Sequence, residues 1–223
     1  MKVLITGGSK GIGHEVAKLF ALNNHDVLVV SRNFKNESEL NKKGVKTFSF
    51  DLLNKNYSTL INNIKKFGKI DILINNAGYL INKPFLNIND DELENIYKVN
   101  VFAPFKLIRE SFPYLSKKSH IINISSIGGV QGSMKFKGLS AYSSSKGAIC
   151  ILTECLAEEF KDTEVKINAL ALGAVQTEML EKAFPNYKAP ISPKEIAKYI
   201  YSFALNDSIY FNGKILNVSS SNP

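Results

Sequence analysis

Apolar runs of strand length alternate with helix-length amphipathic segments along the whole chain. VLIT (3–6), DVLVVS (26–31), VKTFSF (45–50), IDILIN (70–75), HIINIS (120–125), KINALAL (166–172) and KILNV (214–218) read as seven strands. Helical periodicity falls between them near 11–24, 55–67, 90–116, 141–161 and 193–206, with apolar residues at i, i+3 and i+4 spacing such as Val16, Leu19 and Phe20. Short, mostly apolar strands joined by crossover helices predict a parallel sheet covered on both faces. The expected fold is a doubly wound α/β sheet of three layers. No repeat, linker or low-complexity tract interrupts it, and 223 residues with 44% hydrophobic content can bury one large core, so one domain is expected over 1–223.

Composition removes several classes of function. The chain opens on Met-Lys-Val-Leu-Ile without a leader pattern and holds no run of about 18 apolar residues, which predicts a cytoplasmic protein with no membrane span. Cys150 and Cys155 fall in one helical segment, roughly 140° apart on its surface, and read as ordinary cysteines rather than a disulfide. His14, His25 and His120 are scattered without ligand spacing, so no metal site is expected. The charge of +8 comes from dispersed lysines with no basic stripe interleaved with aromatics. That pattern predicts a solvated surface and no nucleic-acid partner.

The chemistry begins at TGGSKGIG, residues 6–13, where the first strand hands over to the first helix. Ligands of open parallel sheets bind beyond the carboxyl ends of the strands, and a glycine-rich turn there lets backbone N–H groups approach a pyrophosphate. Gly7 serves the tight turn, while Gly11 and Gly13 serve close approach and helix-on-sheet packing. The spacing is G-x-x-x-G-x-G, without the Gly-Lys-Ser/Thr of a Walker loop, and the fold is a Rossmann-type, dinucleotide-binding one.

A second constellation is YSSSK, residues 142–146. Residues four apart share a helix face, so Lys146 stands beside the Tyr142 phenol. A phenol ionises near pH 10, and a cation about 4 Å away at an effective dielectric near 20 contributes about 4 kcal/mol toward its anion before desolvation opposes it.

TGGSKGIG, NNAG at 75–78, the Asn of KVN at 98–100, ISS at 124–126 and YSSSK, in that order, make the chain similar to the short-chain dehydrogenase/reductase family over essentially its whole length. The resemblance implies that Tyr142 donates a proton to a substrate carbonyl as hydride arrives from a nicotinamide. It implies that Lys146 lowers the Tyr142 pKa and holds the nicotinamide ribose, and that Ser126 rather than Ser125 holds the carbonyl. Asn100 matches the residue that keeps a water in a proton relay, and it equally suits an Asn stabilising a local helix irregularity. Ser9, Lys10 and Ile12 join the glycines around the phosphates. Asp51 and Leu52 belong at the adenine, Asn76, Ala77 and Gly78 along the ribose, and Val175 and Thr177 at the carboxamide. Asp51 and Thr177 also suit turn- or helix-capping roles. Leu172-Gly173 stands where Pro-Gly is usual.

At the end of the second strand, an acid would accept the ribose hydroxyls of NAD. The chain instead reads Ser31-Arg32-Asn33, with Asp26 at the opposite end of the strand. Arg32 offers a planar fork and Lys10 a second charge, so NADP(H) is expected over NAD(H). After Thr177 a short flap leads to the next helix, and Met134 and Phe136 either face the cleft or pack on the protein itself. The resemblance makes the substrate a small carbonyl or alcohol, with a 3-oxoacyl thioester on an acyl carrier protein as the nearest named candidate, and a sugar, steroid or other small alcohol, or a non-catalytic dinucleotide-sensing role, as the alternatives. It also implies a homodimer or homotetramer built on helices 90–116 and 141–161.

Overall fold

Seven parallel strands form one sheet in the computed structural model, which describes residues 1–34 and 37–219. They are β1 (Lys2–Thr6), β2 (Asp26–Ser31), β3 (Lys46–Ser49), β4 (Ile70–Asn75), β5 (Leu115–Ser126), β6 (Lys166–Leu172) and β7 (Ile215–Val218). Their spatial order is β3-β2-β1-β4-β5-β6-β7, which reverses direction between β1 and β4. Thr6 lies opposite both Val30 and Asn75, so three strands finish level where that reversal opens a crevice.

Strand alternation sorts the core into two layers. Val3, Ile5, Val27 and Val29 face α1 (Gly11–Leu22) and α8 (Pro193–Asn206), where Phe20, Ile200 and Phe203 are buried against them. Leu4, Leu28, Val30 and Leu73 face the opposite way, onto Leu60, Ile64, Leu107 and Leu156. Those four residues come from α3 (Ser58–Phe67), α5 (Ala103–Ser111) and α6 (Ser140–Glu159). Each such fully buried side chain contributes about 1.5–3 kcal/mol.

The helices depart from the sequence pattern in three places. The segment expected at 90–116 is α4 (Asp90–Tyr97), a π-helical turn (Lys98–Phe102), α5 and a short 3₁₀ turn (Phe112–Tyr114). Pro113 lies in that last turn, and β5 begins directly after it, five residues before the apolar run HIINIS. The short helices α2 (Glu37–Lys42) and α7 (Glu178–Ala183) were not expected.

The helix starts differ in a way that matters for the site. Asn89 with Glu92 caps α4, and Ser192 with Glu195 caps α8, each in a reciprocal capping box. At α1 the N-cap is Lys10, and no side chain caps it. The first N–H groups of α1 therefore stand at the crevice without a side-chain acceptor. Among the described residues, no helix is long and apolar enough to cross a membrane.

Candidate active site

The turns leaving β1 to β6 at their C-terminal ends enclose one cavity of about 1090 Å³. Every site residue expected from the sequence lines it except Gly13 and Asn100, which stand directly behind its wall. The glycine turn fits a dinucleotide on steric grounds. Gly7 has φ +70°, and a Cβ there would stand 2.6 Å from Ala77 Cα. A Cβ on Gly13 would stand 2.4 Å from Asn76 Nδ2, so only glycine lets the turn, the helix and the β4 loop close on one another. The Asn76 amide donates to Thr6 O and Gly7 O, and Thr6 Oγ1 accepts from the backbone of Asn76 and Ala77. Ser31 Oγ accepts from Ser9 N and fixes the other side of the turn. Asn76 and Ser31 thus brace the cradle itself.

Tyr142 and Lys146 project from consecutive turns of α6 into this cavity. Ser126, at the end of β5, lines the same cavity, its hydroxyl accepting from Gly128 N at 3.3 Å and favouring the anion of the neighbouring Tyr142 phenol. Ser125 is turned away, its hydroxyl donating to Lys146 O at 2.8 Å and lying 3.2 Å from Cys150 Sγ. The choice between the two serines follows from alternation along the strand. Lys146 is buried, donates to Ile124 O at 2.8 Å, and lies 5.8 Å from the Tyr142 ring centroid. Burial dominates both groups. It pushes the phenol up to about 12, with Ser126 pulling it part of the way back, and it pushes the Lys146 ammonium down to about 8. Desolvation favours the neutral form of each group.

Asn100 occupies the π-helical turn and is 1% exposed. Its Oδ1 accepts from Tyr79 N, and its Nδ2 donates to Tyr79 O and Ser145 Oγ. The local irregularity is real, and the same Asn holds the β4 loop onto α6. A point at the missing Cβ of Gly78 is 3.6 Å from both Asn100 Oδ1 and Lys146 Nζ, so the two groups flank one space.

The remaining expected residues also have structural partners. Asp51 Oδ1 accepts from Leu53 N, and Thr177 Oγ1 caps α7 by accepting from Leu180 N. Lys10 differs most from expectation. Its ammonium meets Glu178 at 2.8 Å, and Lys182 meets the other oxygen of Glu178 at 2.8 Å. The two lysines hold the Glu178 carboxyl down at about 2. Lys10 thus ties the glycine turn to the flap helix, leaving Arg32 as the cation at the end of β2. Tyr79, Leu80, Met179 and Phe184 line the cavity without having been expected, since only tertiary folding brings these loops over the crevice.

A glycine cradle at the switch point of a doubly wound sheet, with a serine, a tyrosine and a lysine on the facing wall, defines a dinucleotide-dependent oxidoreductase. The comparisons give the family. The short chain dehydrogenase family model matches residues 1–188. L-2,3-butanediol dehydrogenase of Corynebacterium glutamicum is 30% identical over 96% of this chain and 95% of its own length. 3-oxoacyl-[acyl-carrier-protein] reductase FabG of Aquifex aeolicus is 29% identical over 97% of this chain and 94% of its own. Among solved structures, 4-hydroxyisoleucine dehydrogenase complexed with NADH superposes with a TM-score of 0.88 at 26% identity, covering 99% of this chain and 97% of that one. The chain belongs to the short-chain dehydrogenase family.

Proposed function

We propose that the chain is an NADP(H)-dependent oxidoreductase interconverting a ketone and its secondary alcohol, with a 3-oxoacyl thioester as the first candidate substrate. The observation carrying this reading is that Ser126, Tyr142 and Lys146 share one cavity with the glycine turn. The bound coenzyme supplies or accepts the hydride. Tyr142 gives its proton to the carbonyl oxygen, and Ser126 Oγ steadies that same oxygen. Lys146 holds the ribose hydroxyls and favours the phenolate as it forms, while Asn100 and Lys146 bound the path by which the proton is replaced. Arg32 takes the coenzyme's extra phosphate, with Asp51 and Leu52 at the adenine and Val175 and Thr177 at the carboxamide. Support for the thioester comes from the likeness to the FabG reductase and from a net charge of +8, which suits an acidic carrier. Pairing into dimers or tetramers is proposed through α4–α5 and α6, whose surfaces leave Phe102, Phe105 and Ile151 exposed. The test is NADPH oxidation against a ketone panel that includes acetoacetyl thioester, with Tyr142→Phe as control.

Two further outcomes are expected. Lys146 loses its proton as pH rises through about 8, whereas the phenol, at about 12, still carries its own. If the ammonium is needed to hold coenzyme, kcat/KM for NADPH, which reports ionisations of the free protein, should fall by about tenfold per pH unit above that point. A flat profile through pH 8 to 10 would remove the lysine's charge from the mechanism. Glu178→Gln should release Lys10 toward phosphate and tighten NADPH by about two- to fivefold, the scale of an exposed ion pair, with little change for NADH. Fluorescence titration of both coenzymes reads the difference.

A further inference from the structure

We propose that the part of the substrate entering the cavity is uncharged and lays an apolar alkyl or aryl arm against the flap side; the proposal rests on the reductase reading above and names the substrate class. Three separate segments build that side: Leu80 after β4, Met134 and Phe136 before α6, and Met179, Phe184 and Tyr187 on and after α7. Met134, Phe136, Met179 and Tyr187 are 54%, 47%, 39% and 48% exposed. Large apolar side chains gathered at a cleft mouth and left in water mark a surface that a ligand covers. The two methionines suit an arm of variable shape, because their unbranched side chains repack at small cost.

The charges lining the cavity favour a neutral arm over an anionic one. Among the described residues, the cationic side chains lining it are Lys10, Arg32 and Lys146. Lys10 is paired with Glu178, and Arg32 follows β2 on the far side of the glycine turn. Lys146 is buried beside Tyr142 and donates to Ile124 O. Lys135 and Lys137 flank Phe136 and Lys188 follows Tyr187, but they are exposed and outside the cavity lining, so a carboxylate or phosphate held within the flap side would meet no counter-charge in that lining. Each methylene removed from water there is instead favourable, by about fourfold in kcat/KM.

The experiment uses the intact chain with NADPH and a homologous series of methyl ketones, together with the same chains ending in a carboxylate. The expected result is a kcat/KM that climbs with chain length, with each neutral ketone at least about tenfold above its anionic congener. Met179→Arg, at an exposed position that places no demand on folding, should narrow that gap by raising turnover of the anionic series. A flat length dependence, or equal turnover of the two series, overturns the apolar class and leaves the reductase reading standing. If no ketone of either series supports NADPH oxidation above the Tyr142→Phe control, the reductase reading fails and the substrate class falls with it.

Discussion

Tyr142→Phe is expected to lower kcat/KM for ketone reduction by about 10³-fold, within the range general-acid catalysis supplies, while NADPH binds with unchanged affinity. The substitution deletes one oxygen and keeps the ring, which is only half-buried, so the fold has no reason to change. What disappears is the phenolic O–H beside Ser126 in the cavity. Ser126 cannot replace it, because a hydroxyl far less acidic than a phenol is a poor proton donor at neutral pH. Burial, which pushes the phenol up to about 12, makes it a reluctant acid. A coenzyme whose ribose turned the Lys146 ammonium toward the oxygen would lower that barrier. Tyr142→Phe and Lys146→Met should therefore be strongly non-additive, the double variant being little worse than the first. Steady-state rates with the responsive ketone, alongside coenzyme titration of each variant, supply both quantities. A loss below tenfold would move the acid to another group.

The parts legible from sequence are those fixed by local pattern. Strands β1, β2, β4, β5 and β6 were readable because burial makes them apolar over long stretches, as in Val27–Val30 and Ile72–Ile74, whereas the edge strands β3 and β7 are only partly buried and showed through the short runs VKTFSF and KILNV. The glycine turn and the Tyr142–Lys146 pair were readable because each is a short continuous stretch of chain. The misread pieces depend on distant partners. In α2, ESELNK buries only Leu40, and α7 is six residues with no buried side chain, starting at the Thr177 cap. Neither carries an apolar stripe long enough to show. The helix break at Lys98–Phe102 is stabilised through Asn100 by Tyr79 and Ser145, 21 and 45 residues away along the chain. Lys10 and Glu178 meet across 168 residues. The direction of the Tyr142 and Lys146 shifts is likewise tertiary, since spacing reveals the neighbouring charge but not how much water both groups lose.

Arg32→Asp should invert coenzyme choice, shifting the ratio of kcat/KM with NADPH to that with NADH by about 10²-fold toward NADH. The size follows from replacing a charge-assisted, two-pronged hydrogen bond to phosphate by a carboxylate that repels it. The same carboxylate would sit where a strand-end acid accepts ribose hydroxyls, so NADH should gain while NADPH loses. The backbone at this position is already held, with Ser49 Oγ donating to Arg32 O at 2.7 Å and Ser31 bound to the glycine turn. Arg32 itself is exposed. Stability should therefore stay within about 0.5 kcal/mol of wild type, and any change in preference reports recognition rather than folding. Asp26 cannot rescue the native residue's absence or mimic the variant, because it starts β2 at the far end and lies 3.9 Å from Lys2. Paired with Glu178→Gln, the substitution also separates the two cations. If Arg32 alone reads the phosphate, Arg32→Asp abolishes the preference even when Lys10 has been released. If Lys10 shares the task, the double variant regains part of its NADPH affinity.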